Sequence, residues 1–440
     1  MQNLKKHDSV LHKLIQQETN RQQNTLSLIP SENILPSHTN EATASCLVNK
    51  YAEGYPNKRY YQGMEFVDQI ETLAQERAKK LFNVAYANVQ PYSGSICNLE
   101  AYLSIINPGD KIMGLNLSSG GHLTHGNIAS FTGKIFKSVS YDVDQNGELN
   151  YKQIEALANK EKPNIIIAGT TAYSKTIDWQ KFAKIAKKIN AYFVADISHI
   201  AGLVASGSYP SPAPFAHIMT STTHKTLRGP RGAILMVTHL GLKKDPQLIE
   251  KIQKTVFPGM QGGPSVNIIA GIANCLKEAS SKQFKTYTNQ IIKNSICLCN
   301  ELKKYNFKII SNTTESHLFL IDLQNKNIIG NLAAEALEAV NIVVNKNSIP
   351  FDQNPPFYPS GIRLGTPSIT TRGLKEKEIK QIAKLIHQTI DLISKEKQNQ
   401  KISPTDEKKK ETRSKLINSC QKDLNKIKKE VLQICKNFQI

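Results

Sequence analysis

Cysteine is scarce in this chain: seven in 440 residues, an odd number, at positions 46, 97, 275, 297, 299, 420 and 435. No two form a Cys-x-x-Cys pair, which argues against zinc-ribbon and thioredoxin-type readings. Sparse, unpaired thiols suit a reducing compartment. Long apolar runs are missing as well. No stretch approaches the ~20 residues of a membrane span. The opening segment, MQNLKKHDSVLHKLIQQETNRQQ, has no apolar signal-peptide core, and its Asp8 and Glu18 do not suit a transit peptide. The expected location is the cytoplasm, with no membrane partner.

Acidic residues are in deficit, 36 Asp and Glu against 56 Lys and Arg. Such an excess can mark nucleic-acid binding, but its distribution argues otherwise. Residues 371–440 hold 18 Lys and Arg against 9 Asp and Glu, and Lys408, Lys409 and Lys410 are flanked by Asp406, Glu407 and Glu411. No aromatic is interleaved between Ile390 and Lys436, so a base-stacking platform is missing. The excess reads as a solvated, Lys-rich surface, and no nucleic-acid partner is expected. Motif absences narrow the field further. No Gly-x-Gly-x-x-Gly follows a strand, Gly133-Lys134 is followed by Ile135 where a Walker A needs Ser or Thr, and there is no His-Glu-x-x-His. His122 and His125 are three apart without acidic or Cys company, so no metal site is expected.

What is present is an α/β pattern. Residues 1–25 form a polar arm with Val10, Leu11, Leu14 and Ile15 at helical spacing, expected to dock on something. Residues 66–82 place Val67, Ile70, Ala74 and Leu81 on one helical face. From about 84 to 240, short apolar runs alternate with helical stretches: ANVQ (87–90), KIMGLN (111–116), NIIIAG (164–169), AYFVADI (191–197), HIMTST (217–222) and AILMVT (233–238). Continuously apolar strands separated by helices predict a largely parallel sheet covered on both faces. A second, smaller α/β region begins near 278, with a helix over about 282–304, strands at 317–323 and 341–345, and a helix striped by Ile379, Ile382, Ala383, Ile386, Ile390 and Ile393. Residues 395–413 read as a polar, basic linker. Leu416, Cys420, Leu424, Ile427, Val431 and Ile434 then predict a final helix that packs back. The expected division is an N-terminal helical arm (1–50), a large domain (51–277) and a small C-terminal domain (278–440).

Polar groups gather where the strands end, which in open α/β sheets is where ligands bind. Asp196 ends one strand, with His199 three residues on. Thr222-Thr223-His224-Lys225-Thr226 ends another. Ser93-Gly94-Ser95 lies between a strand and a helix, and His122 lies in the run SGGHLTHG (119–126). Alone, a strand-end Asp is usually a cap and a Ser-Gly-Ser turn an ordinary helix start. Together they meet the needs of pyridoxal phosphate: a phosphate cradle, an amine for a Schiff base, and a carboxylate to keep the pyridine nitrogen protonated. His122 would lie over the ring face.

Longer segments carry a resemblance. LIPSEN (28–33), NKYAEGYPNKRYYQG (49–63), GGHLTHG (120–126), TTHKTLRGPRG (222–232), FPGMQGGP (257–264) and SGIRLGTP (360–367) resemble serine hydroxymethyltransferases, from about residue 10 to 394. The resemblance implies a fold-type I, aspartate-aminotransferase-like enzyme, with a mixed, mostly parallel seven-stranded sheet. It would exchange serine and glycine using tetrahydrofolate, with side aldolase activity on 3-hydroxy amino acids. Pyridoxal phosphate would be covalent on Lys225. Asp196 would hold the ring nitrogen, His122 the ring face, Ser93, Gly94 and Ser95 the phosphate, and Thr171 and His199 the phenolic oxygen. His224 joins the catalytic set. Arg363 would clamp the substrate carboxylate, and Ser31 would join the substrate-binding set. Glu53 and Tyr51 would act on the hydroxymethyl group from the neighbouring subunit, joined by Tyr61, and Gly262 and Gly263 would touch the partner's phosphate. The active unit would thus be a homodimer, or a tetramer, with shared sites. Leu117, Gly121, His122, Leu123, Asn347, Pro355, Pro356 and Phe357 would line the folate pocket. Three positions depart from the family pattern: Tyr92 for a common His, Thr171 for a Ser, Pro30 for an Ala.

Overall fold

The structure is a computed structural model and describes residues 2–439. The chain forms two compact units, residues 33–289 and residues 1–32 with 290–440. The sequence placed boundaries near 50 and 277. The first 32 residues group with the C-terminal part because Leu26–Ser27 pairs in parallel with Ile342–Val343, and the unit boundary falls inside the helix Lys282–Lys304.

The larger unit is built on seven strands: β1 (Tyr86–Asn88), β2 (Lys111–Leu115), β3 (Lys137–Tyr141), β4 (Ile165–Gly169), β5 (Tyr192–Asp196), β6 (Ile218–Thr222) and β7 (Ala233–Val237). Their order across the sheet is β1-β7-β6-β5-β4-β2-β3. Only β7 runs antiparallel to its neighbours. Strands β4, β6 and β7 are buried along their whole length, as an apolar run covered on both faces requires. Six strands lie where apolar runs marked them. β3, KSVSY, is the exception: it is an edge strand, four of its five residues are outside the core, and it has no apolar run to betray it. Around the sheet stand α1 (Glu65–Phe82), α2 (Gly94–Leu103), α3 (Tyr151–Glu161), α4 (Trp179–Lys188) and α5 (Val266–Ala279). α1 buries Val67, Ala74, Ala78 and Phe82 and ends on Asn83 in the left-handed region. Its buried stripe therefore runs through the two alanines and Phe82 rather than through Ile70 and Leu81.

The smaller unit holds an antiparallel sheet of β8 (Lys308–Ile309), β9 (Leu318–Asp322), β10 (Asn345–Asn347) and β11 (Gly361–Gly365), in the order β8-β9-β11-β10. Helix α6 (Gly330–Ala339) and the long α7 (Glu376–Asn399) pack in the same core. The expected isoleucine stripe of α7 is fully buried. The segment expected as a linker is instead mostly helical. α7 runs on to Asn399, and α8 (Pro404–Glu407) and α9 (Lys410–Ser419) follow. The final stripe is buried as expected, but on two helices, α9 and α10 (Gln421–Asn437), which break at Cys420. The arm helix Ser9–Gln23 differs from expectation: Val10, Leu11 and Leu14 are exposed. Among the described residues, no helix is long and apolar enough to cross a membrane.

Candidate active site

The ends of β5 and β6 and the start of α2 face a common cavity of about 160 Å³, lined among others by Ser93, Gly94, His122, Asp196, His224 and Lys225. Each wall follows from local sequence. After β6, the chain turns so that the Lys225 amine donates to the Thr222 hydroxyl at 2.9 Å. Ser93 caps α2, accepting from the Ile96 amide, and Gly94 lies so close to β6 that a Cβ there would sit 2.5 Å from Thr222 Cγ2. The α2 N-terminus thus directs its first amides and partial positive charge at the cavity. In SGGHLTHG, two short helical turns end on Gly120 and Gly126, both at positive φ, which glycine tolerates.

Asp196 is the electrostatic centre. Its Oδ2 accepts from Asn98 Nδ2 at 2.9 Å and His125 Nε2 at 3.0 Å, and its Oδ1 from the Ser198 amide at 3.0 Å. Burial alone would raise this carboxyl. The hydrogen bonds from His125 and Asn98, with the favourable electrostatics of the His125 and His122 imidazoles, outweigh burial and hold it far below the usual carboxylate range. The tautomer of His125 follows from its partners: Nδ1 accepts from the His122 amide at 3.3 Å, leaving the proton on Nε2 for Asp196. Burial, then the neighbouring His125, brings His122 down to about 4, and burial with Lys225 and Arg231 brings His224 down to about 3. Both imidazoles are neutral at pH 7.

Asn98 and His125 were not among the residues singled out for function. Asn98 links three elements: its Oδ1 accepts from Thr220 of β6 at 2.6 Å, and its Nδ2 donates to Thr124 and to Asp196. Thr124 in turn holds His122 Nδ1 at 2.7 Å. The only signals in the sequence were an amide two positions into an apolar helix run and a second His in GGHLTHG. Ser198, Thr222 and Arg231 also line the cavity.

The remaining expected residues fall into separate places. Ser95, Thr171 and His199 line the cavity, though the Thr171 hydroxyl also donates to the Gly121 carbonyl at 3.0 Å. Tyr51, Glu53, Tyr61, Gly262 and Gly263 do not line it. They form a surface cluster of their own, with the Tyr51 and Tyr61 rings edge to face at 5.4 Å and the Tyr51 hydroxyl 3.5 Å from Glu53 Oε1. A Cβ on Gly263 would touch the Tyr51 ring at 3.2 Å, and Tyr92 joins the cluster by donating to the Gly263 carbonyl at 2.6 Å. Leu117 and Leu123 are exposed, and Gly121 leaves no room for a side chain against the Leu115 carbonyl.

In the smaller unit, Arg363 sits mid-β11, opposite Leu320 and Asn345, and donates to Asn345 Oδ1 at 3.0 Å. Burial lowers its pKa to about 10, so it stays charged. Ser31 lies in the turn after Leu28, next to Pro30, which packs on Gly365. Asn347 ends β10. Pro355, Pro356 and Phe357 lie exposed in a loop that Asp352 ties together by accepting from Ser360 and Asn354. Among the described residues no cluster of metal-ligating side chains occurs.

The donor set fits pyridoxal phosphate: an amine, a buried ionised carboxylate and a helix N-terminus share one cavity at the carboxyl ends of a mixed, mostly parallel sheet. Fold and site together define a pyridoxal-phosphate-dependent transferase of fold-type I. Residues 4–386 match the family model described as serine hydroxymethyltransferase. Two relatives bearing the name serine hydroxymethyltransferase, from Coxiella burnetii strains CbuG_Q212 and Dugway 5J108-111, are each 49% identical over 390 residues, covering 89% of this chain and 92% of theirs. The chain belongs to the serine hydroxymethyltransferase family, whose members transfer the hydroxymethyl carbon of serine to tetrahydrofolate.

Proposed function

We propose that this chain carries out that reaction with Lys225 holding the cofactor. The observation that carries the reading is the buried, ionised Asp196 facing the same cavity as the Lys225 amine. When bound, pyridoxal phosphate supplies a sink for the electron pair left on Cα as the Cα–Cβ bond of serine breaks. Asp196, held ionised, would keep a proton on the ring nitrogen and so make that sink effective. Asn98 and His125 hold that carboxylate in place. His122, neutral and fixed by Thr124, would stack on the ring. Ser93, Gly94 and Ser95 would hold the phosphate, and Thr171 and His199, which line the same cavity, would bind the phenolic oxygen. His224 remains uncharged beside Lys225, so it adds no repulsion to the amine.

Arg363 pairs with the substrate carboxylate, and Ser31 belongs to the same substrate-binding set. Glu53, assisted by Tyr51, moves the proton at the hydroxymethyl oxygen. Because Tyr51, Glu53, Tyr61, Gly262 and Gly263 cluster on the surface and do not line their own chain's cavity, they serve the site of a second copy, in a homodimer. The family resemblance assigns Leu117, Gly121, His122, Leu123, Asn347, Pro355, Pro356 and Phe357 to tetrahydrofolate binding. Cleavage of other 3-hydroxy amino acids without folate is expected at the same lysine. The test is borohydride reduction of the cofactor-loaded protein, followed by peptide mapping. Label on Lys225 is expected; label on another lysine overturns the assignment.

A further inference from the structure

The family match ends at residue 386, and the Lys-rich segment beyond it is not a solvated tail. Lys397 of α7 and Glu407 of α8 form an ion pair at 2.6 Å with side chains only 4% and 2% exposed. A buried pair persists where further hydrogen bonds satisfy both charges, and here they all reach one short segment. Glu407 Oε1 accepts from the Ile329 amide at 2.9 Å, and Lys397 Nζ donates to the Asn327 carbonyl at 2.6 Å. Arg413 of α9 fixes the pair from behind. It donates to the carbonyls of Glu407 and Lys408 at 3.1 and 2.8 Å and forks onto Glu335 at 2.9 and 2.8 Å.

The segment so held touches the loop before β11. The Gly330 amide donates to the Pro359 carbonyl at 2.7 Å, and Leu323 N donates to the Ser360 carbonyl at 3.0 Å. Gly330 has no space for a side chain against the Pro359 and Gly361 carbonyls, so the two backbones lie directly on one another. Lys408 stands 5.9 Å from the centre of the Tyr358 ring. We propose that the Lys397–Glu407–Arg413 clasp is a positioning device for the 350–360 loop, and through it for tetrahydrofolate. Phe357 is 79% exposed, Pro355 and Pro356 are exposed too, and the Phe357 carbonyl accepts from Lys346 Nζ at 2.8 Å. The loop is held by Asp352 within it, by Lys346 of β10 and by its end at 359–361, and the last of these rests on the clasped segment. The inference rests on the proposed reading of this loop as part of the tetrahydrofolate site.

Glu407→Gln keeps the acceptor for Ile329 but removes the charge facing Lys397, and Lys397→Met with Glu407→Gln removes both charges and leaves no buried ion behind. In the cofactor-loaded enzyme, both variants are expected to raise KM for tetrahydrofolate about fivefold, with kcat and serine binding within twofold of the parent. Amide hydrogen exchange should quicken over 351–358 while β9 and α7 stay protected. Lys397→Arg, which keeps charge and donors, should lie closer to the parent than Lys397→Met. Phe357→Ala serves as the control for the loop reading. If Phe357→Ala raises that KM and the clasp variants do not, the clasp proposal is overturned alone. If Phe357→Ala leaves it unchanged, the tetrahydrofolate reading of the loop fails and this proposal with it. Equal losses of serine and tetrahydrofolate binding would mean general unfolding of the unit and would likewise overturn it.

Discussion

Asp196 shows how one residue's environment sets its chemistry. Two neutral donors and a backbone amide surround it, so removal of its charge leaves donors facing a neutral amide. Asp196→Asn should fold and bind cofactor, yet lose turnover by a factor of the order of 10²–10³, the usual loss for one preorganised electrostatic group. Steady-state rates decide, and near-parent turnover would exclude the role. Glu100 presents the opposite case. It is buried in α2 with neither carboxyl oxygen hydrogen-bonded among the described residues, and burial pushes it up to about 8. The unfolded chain releases this proton near pH ~4.3. Folding therefore favours the protonated form, and the stability it confers below pH ~4.3 is lost as the pH rises to about 8. The difference is worth on the order of 5 kcal/mol. Glu100→Gln removes the titration. Its Tm advantage over the parent should widen between pH 5 and 8 and then level off; parallel curves would show that Glu100 does not titrate in this range.

At the scale of elements, the contact of α2 with β6 does two jobs. It brings the helix N-terminus to the cavity, and it holds Thr222, which accepts from the Lys225 amine. Gly94→Ala would force its Cβ against Thr222 Cγ2. Overpacking of this kind costs about 1–3 kcal/mol. The variant should therefore lose cofactor faster on dialysis, and its apoprotein should unfold at lower denaturant. Retention equal to the parent would mean that α2 can shift without affecting the cradle. The helices after residue 395 make a related point. Composition there is that of a solvated linker, but Lys397, Glu407 and Arg413 are buried. Long charged side chains enter a core when every donor and acceptor finds a partner, and no local pattern announces those partners.

At the scale of the molecule, the Tyr51–Glu53–Tyr61 cluster and the exposed stripe of the arm helix are surfaces without partners within the described residues. Tyr51, Tyr60 and Tyr61 are 58%, 72% and 44% exposed, an aromatic patch of the sort that marks interfaces. The shared-site reading makes a quantitative demand. Inactive Lys225→Ala and inactive Glu53→Ala proteins, mixed in equal amounts under conditions that exchange subunits, should regain activity. Half the dimers would be mixed, and each of those would carry one intact site, so about a quarter of all sites should work. Verified exchange with no recovered activity would place Glu53 in its own chain's site.

The sheet, the cavity's main lining residues and the family were legible in the sequence, because buried parallel strands are continuous apolar runs and because Lys225, Asp196, His122 and the Ser93–Ser95 turn lie next to strand ends. Such signals are local, a few residues long, and survive without knowledge of the fold. Edge strand β3 was not legible, since a strand with one wet side and no apolar run resembles a loop. Nor were Asn98 and His125, whose importance lies in which atoms they face: Asp196 is 98 and 71 residues away from them along the chain. The same holds for the arm's membership in the C-terminal unit and for the buried charges beyond residue 395. Each depends on a partner brought close only by folding, so composition and periodicity contain no trace of it, and tertiary structure alone decided it.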